Sequence, residues 1–123
     1  MINLDHAATT PLRPEALNAM LPYFTDHAAN ANALYAEGRR ARAAIDAARR
    51  QIADAIHAKP AEIYFTGSGS EADNWALFGA MRAMAGKNHI VTTQIEHHAI
   101  LNACAALEKL GYEVSYVPVD RQG

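Results

Sequence analysis

The spacing of apolar residues divides the chain into an irregular start, two helices and then an alternating half. Leu17, Met20, Leu21 and Phe24 recur at helical spacing behind Pro14-Glu15, a pair suited to a first helical turn. Small residues and asparagines from Asp26 to Leu34 predict a loop. A long helix is expected after Gly38, with Ile45, Ala48, Ile52 and Ile56 as its apolar stripe and Lys59-Pro60 as its end. Three short strand candidates then alternate with helices: Glu62 to Phe65, Asn88 to Thr92 and Glu113 to Val117. The helices between them are expected from about Ser70 to Met84 and from about His98 to Leu110, with Gly111 as punctuation. A β-α-β-α-β order predicts an α/β fold with a parallel sheet and crossover helices. The expected organisation is residues 1–60 as an N-terminal arm with helices and residues 61–123 as the start of a larger sheet domain. Three parallel strands make a small unit for a sheet type normally buried on both faces, so the pattern reads as part of a fold cut in its middle.

Composition narrows the class. Half of the residues are apolar and the formal net charge is −2, which gives no reason to expect nucleic-acid binding. No apolar run reaches transmembrane length, and Met1-Ile2-Asn3-Leu4-Asp5-His6 lacks the pattern of a signal peptide. A lone cysteine, Cys104, excludes an internal disulfide and sits in a helical apolar stretch, where it is expected as a small buried residue. A cytoplasmic protein is the expectation.

The chemistry concentrates at two places. Ile63-Tyr64-Phe65 breaks into Thr66-Gly67-Ser68-Gly69-Ser70-Glu71-Ala72, a Gly/Ser loop that opens a helix. Glycines admit a ligand close to the backbone, hydroxyls donate, and the helix start supplies free N–H groups with partial positive charge, so the loop reads as a phosphate cradle. The stretch also fits G-x-G-x-x-A, with Glu96 near the distance of a ribose-binding acid, so a dinucleotide is one ligand open to it. A plain strand-to-helix turn is another reading. Glu96-His97-His98 follows the second strand, whose carboxyl end faces the crevice of an open α/β sheet. An imidazole there could stack on a flat ring or move protons, or could simply begin a helix. Adjacent histidines and the lack of Cys/His spacing argue against a metal. Arg39, Arg40, Arg42, Arg49 and Arg50 read as a solvated helix face, with Asp46 and Arg50 placed to pair.

Taken in order, these segments resemble the N-terminal part of a class V aminotransferase-fold enzyme, and more closely the cysteine desulfurases. The resemblance runs from Ile2 to Gly123. It is carried by Leu4-Asp5-His6-Ala7-Ala8-Thr9-Thr10-Pro11, by Ala19-Met20-Leu21-Pro22-Tyr23-Phe24, by Ile63 to Asn74, by Ile95-Glu96-His97-His98-Ala99-Ile100-Leu101, and by Tyr112 to Asp120. It implies a partial type I large domain and pyridoxal 5′-phosphate as cofactor, with Gly69 and Ser70 at its phosphate and His97 as the ring-stacking, catalytic histidine. It implies conversion of L-cysteine to L-alanine with sulfur passed to an enzyme persulfide, for iron–sulfur cluster assembly, in a homodimer that serves a sulfur-acceptor scaffold protein. It also implies a Schiff-base lysine in a Ser-x-His-Lys type motif and a sulfur-accepting cysteine. Neither motif occurs in these residues: Lys59, Lys87 and Lys109 stand in other contexts, and Cys104 does not match the acceptor. The chain is therefore expected to be inactive alone. Tyr35 stands where the family commonly has histidine, which leaves a selenocysteine lyase or another class V enzyme as an alternative, alongside a non-catalytic fragment that binds a phosphate compound or a partner chain.

Overall fold

Pro14 opens the first helix, α1 (Pro14–Met20), where its missing N–H leaves no bond unmade. A 3-10 turn, Leu21–Phe24, continues it past Pro22. The computed structural model describes residues 2–123, so the first residue of the expected 1–60 segment lies outside the described residues. The chain divides into two units, one ending at Tyr64 and the other Phe65–Gly123.

In the first unit the long helix α2 spans Ala36–Ala55. It begins before Gly38, not after it. Gly38 is a buried helical position where an added Cβ would lie 2.5 Å from the Ala33 carbonyl oxygen and 2.7 Å from that of Asn30. The glycine is thus there to let the preceding loop lie on the helix. α2 also ends sooner than Lys59-Pro60: His57 turns left-handed at φ 55°, and the Ala58 amide closes on the Ala53 carbonyl at 2.8 Å. The expected apolar stripe is not the buried one. Gly38, Ala41 and Ala53 are buried, while Ile45, Ile52 and Ile56 stay 37%, 42% and 62% exposed. Asp46 pairs with Arg49 at 2.6 Å instead of with Arg50, because Arg49 also donates from Nε to the Ile63 carbonyl at 3.2 Å and is held there. Arg39 donates to the Leu34 carbonyl.

The second unit carries the sheet. Helix α3 (Gly69–Ala83) precedes strand β1 (His89–Thr93), helix α4 (His98–Lys109) and strand β2 (Glu113–Val117). The strands pair in parallel, with His89 opposite Glu113 and Thr93 opposite Val117, and α3 packs on α4. Ile90, Cys104 and Leu107 are the buried centre, with Leu77, Phe78 and Met81 of α3 and Val114 and Tyr116 of β2 against it. Cys104 is fully buried, as its apolar setting predicted. Gly111, at φ 90°, turns the chain out of α4 while its amide bonds to the Glu108 carbonyl at 2.9 Å.

The expected first strand is the main difference. Pro60–Glu62 is a 3-10 turn, and 63–66 has no strand pairing. A strand exists only through a neighbour, and among the described residues only β1 and β2 pair. The alternating pattern named the later elements in their right order but could not supply a neighbour for the first strand. No helix among the described residues is long and apolar enough to cross a membrane.

Candidate functional site

The Gly/Ser loop is built by its own side chains. Ser68 is the N-cap of α3, extended at φ −163° and ψ 162°, and its Oγ accepts from the Glu71 amide at 3.2 Å. Glu71 returns the bond one residue further out: its Oε2 accepts from the Gly67 amide at 2.7 Å. Thr66 Oγ1 donates to the Ser68 carbonyl at 3.0 Å, and Asn74 Nδ2 donates to the Ser70 carbonyl at 2.8 Å. These contacts occupy the amides on either side of the helix start. Gly69 and Ser70 are the first two helical residues, and amides in those positions have no acceptor within the helix.

That arrangement fits a phosphate. Both residues are exposed, and an added Cβ at Gly69 would meet nothing within 4 Å. The space beside the two amides and the Ser70 hydroxyl is open to a ligand, and the helix start favours an anion there. An open groove of about 530 Å³ runs from Ser70 and Glu71 past Asn74 to Trp75 and Phe78.

His97 is the N-cap of α4. Its Nδ1 accepts from the Ala99 amide at 3.1 Å, and its carbonyl accepts from Ile100 and Leu101 at 2.9 and 3.2 Å. His98 is the first helical residue, with its ring centroid 6.2 Å from that of His97 and tilted by 42°. Both imidazoles are exposed. Glu96, the acid weighed for a ribose, is engaged locally by Thr93 Oγ1 at 2.9 Å. Gly69, Ser70 and His97 thus open two helices that pack on each other within one unit. Asp5 and His6 lie in an exposed turn, where the Asp5 amide donates to Asn3 Oδ1 at 2.9 Å.

Sequence reasoning passed over Ser68 and Glu71 as builders of the loop. The signal was present: Ser68-Gly69-Ser70-Glu71 has the spacing of a capping box.

The second unit thus sets an open helix start beside a Gly/Ser loop in a parallel α/β arrangement. The family described as aminotransferase class-V matches residues 2–123, and the chain belongs to that family. Its fold is the start of the large domain of these pyridoxal-phosphate-dependent enzymes. The chain is 48% identical over 123 residues to the cysteine desulfurase IscS of Methanosarcina thermophila, covering 99% of this chain and 30% of that protein. Among solved structures it is similar to a NifS-like protein, with a TM-score of 0.86 and 33% identity over 94% of this chain and 32% of the other. It is likewise similar to SspA in complex with cysteine, with a TM-score of 0.83 and 41% identity over 92% of this chain and 33% of the other. The chain spans about three-tenths of the length of the curated relatives it matches.

Proposed function

We propose that the chain is the cofactor-cradling N-terminal part of a cysteine desulfurase, which converts L-cysteine to L-alanine and passes the sulfur to an enzyme persulfide. The observation that carries this reading is the helix start at Gly69 and Ser70, left open while Ser68 and Glu71 occupy the neighbouring amides. The amides of Gly69 and Ser70, with the Ser70 hydroxyl, would hold the phosphate of pyridoxal 5′-phosphate. His97, anchored at the start of α4, would lie against the ring as a stacking and catalytic residue. When bound, the cofactor supplies an electron sink for bond cleavage at the substrate's α-carbon and β-carbon. The chain's own part is to bind and orient. Its lysines stand outside the family's Ser-x-His-Lys motif, and Cys104 is buried, so these residues do not provide the covalent link or the sulfur acceptor.

L-cysteine as substrate is supported by the names of the relatives and by the neighbour described in complex with cysteine. An iron–sulfur assembly role, a scaffold protein as sulfur acceptor, a homodimer and a cytoplasmic setting belong to the same proposal. Fusing residues 2–123 to the remaining seven-tenths or so of the Methanosarcina relative tests it. With dithiothreitol added to reduce the enzyme persulfide, the expected result is alanine and sulfide released in equal amounts from L-cysteine. Turnover of selenocysteine alone, at the position where Tyr35 departs from the family's histidine, would move the assignment to a selenocysteine lyase. A soluble, cofactor-loaded chimera with neither reaction would refute the desulfurase assignment.

A further inference from the structure

We infer that His97 carries its ring proton on Nε2 and meets its ligand as an N–H donor, because Nδ1 is committed to starting α4. The identity of that ligand rests on the proposed function; the tautomer does not.

A neutral imidazole has one donor nitrogen and one acceptor nitrogen. Nδ1 is the acceptor here, taking the Ala99 amide at 3.1 Å, so the proton belongs to Nε2. The commitment is firm for two reasons. Ala99 is buried, so its amide has little water to turn to if the cap is lost. The His97 carbonyl is engaged by Ile100 and Leu101, which fixes the backbone from which the ring projects. Serine, threonine, aspartate and asparagine are the usual residues at such a cap. Histidine can do the same work only with Nδ1 unprotonated.

The consequence concerns what the ring can do. As held, it presents Nε2–H outward and has no free lone pair. Its only lone pair is on Nδ1. A proton accepted there turns Nδ1 into a donor facing the Ala99 N–H, and that amide is left without an acceptor. His97 therefore serves as a stacking group and hydrogen-bond donor while α4 is capped, and acts as a base only if the first turn opens. The neighbouring ionisable groups do not substitute for this: Glu96 is held by Thr93, and the His98 ring lies 6.2 Å away.

Nitrogen-15 NMR of the histidine-labelled chain, at a pH where the ring is neutral, reads the tautomer directly. The expected result is protonated Nε2 and acceptor Nδ1; a protonated Nδ1 overturns the inference. Two variants add a second readout. His97→Asn retains a cap acceptor and should keep Ala99 amide exchange near that of the parent. His97→Leu should speed it on the order of fivefold, the loss of a typical cap. Equal Ala99 exchange in all three proteins also overturns the inference, and if the leucine variant fails to fold, the tautomer measurement decides alone. Failure of the chimera in the cysteine reaction would leave these readouts intact, and a wrong tautomer would leave that reaction standing.

Discussion

The carboxylate of Glu71 lies 2.7 Å from the amide of Gly67, folded back over the loop that its own amide helps to cap through Ser68. This is a capping box displaced outward by one residue. It ties down the donors before and after the helix start and leaves those of Gly69 and Ser70 for a ligand. It also places a negative charge beside the proposed phosphate site, so the group that holds the loop carries the same sign of charge as the proposed ligand.

Glu71→Ala should therefore loosen the cradle without unfolding the unit. Binding of pyridoxal 5′-phosphate is expected to weaken about three- to tenfold, the worth of one hydrogen bond. Binding of pyridoxal, which lacks the phosphate, should not change. Glu71→Gln keeps an acceptor oxygen and should bind at least as well as the parent. Equal losses for both ligands in titrations of the alanine variant would mean that the strap supports the fold rather than the phosphate site.

Two glycines predict opposite outcomes for the same substitution. At Gly38, a methyl group would strike the carbonyl oxygens of Ala33 and Asn30, so Gly38→Ala should cost about 1–3 kcal/mol in denaturant unfolding. At Gly69, the methyl group meets nothing in the chain, and alanine restricts the unfolded state, so Gly69→Ala should be neutral or stabilising by up to about 1 kcal/mol. The proposed cradle brings the phosphate against the Gly69 backbone, so the added methyl group should also lower pyridoxal phosphate binding. A Gly69→Ala protein that melts higher and binds unchanged would remove the cradle from Gly69.

The contrast shows what the sequence could and could not disclose. Helix α3, β1, α4 and β2 were legible because each has its own local period and end signals, such as Gly111 after α4. The helix start after the Gly/Ser loop was legible because glycines and serines break the apolar run just before a helical period begins. The role of Gly38 was not, because it depends on a loop carbonyl reached only after folding. The strand expected at Glu62 to Phe65 failed for the same kind of reason: pairing is a property of two segments, and apolar pattern describes one. The Asp46 partner moved from Arg50 to Arg49 because a third group, the Ile63 carbonyl, chose between two nearly equivalent helix neighbours.

Unpartnered apolar surface has a consequence for the isolated chain. Helices cover the sheet face that carries Ile90, while Val91 and Val117 are 65% and 44% exposed. Both strands also have one edge without a pairing partner among the described residues. The isolated chain is expected to self-associate in sedimentation velocity, with a larger sedimentation coefficient at higher protein concentration. A concentration-independent monomer with a sharp cooperative melt would contradict this.

The buried thiol gives the second unit a pH dependence whose sign can be worked out. Burial pushes the Cys104 thiol above its ordinary range, and the nearby Glu108 carboxylate pushes it further the same way. The folded chain thus keeps this proton to higher pH than the unfolded chain does. Below the ordinary thiol range both states are protonated and the group contributes no slope. Above it the unfolded state binds fewer protons, so stability falls as pH rises, by at most about 1.4 kcal/mol per pH unit for one group, until the folded thiol also ionises. Tyr116 is shifted in the same direction, first by desolvation and then by the hydrogen bond its hydroxyl donates to Glu108 at 3.2 Å, and adds a decline at higher pH. Urea midpoints between about pH 7 and about pH 10 should therefore decrease in the parent. Cys104→Ala should begin from a lower midpoint, because the sulfur fills space against Ile90 and Leu107, and should lose the earlier part of the decline. If its slope matches the parent across that range while Tyr116→Phe flattens it, the tyrosine and not the thiol governs the alkaline limit of this unit.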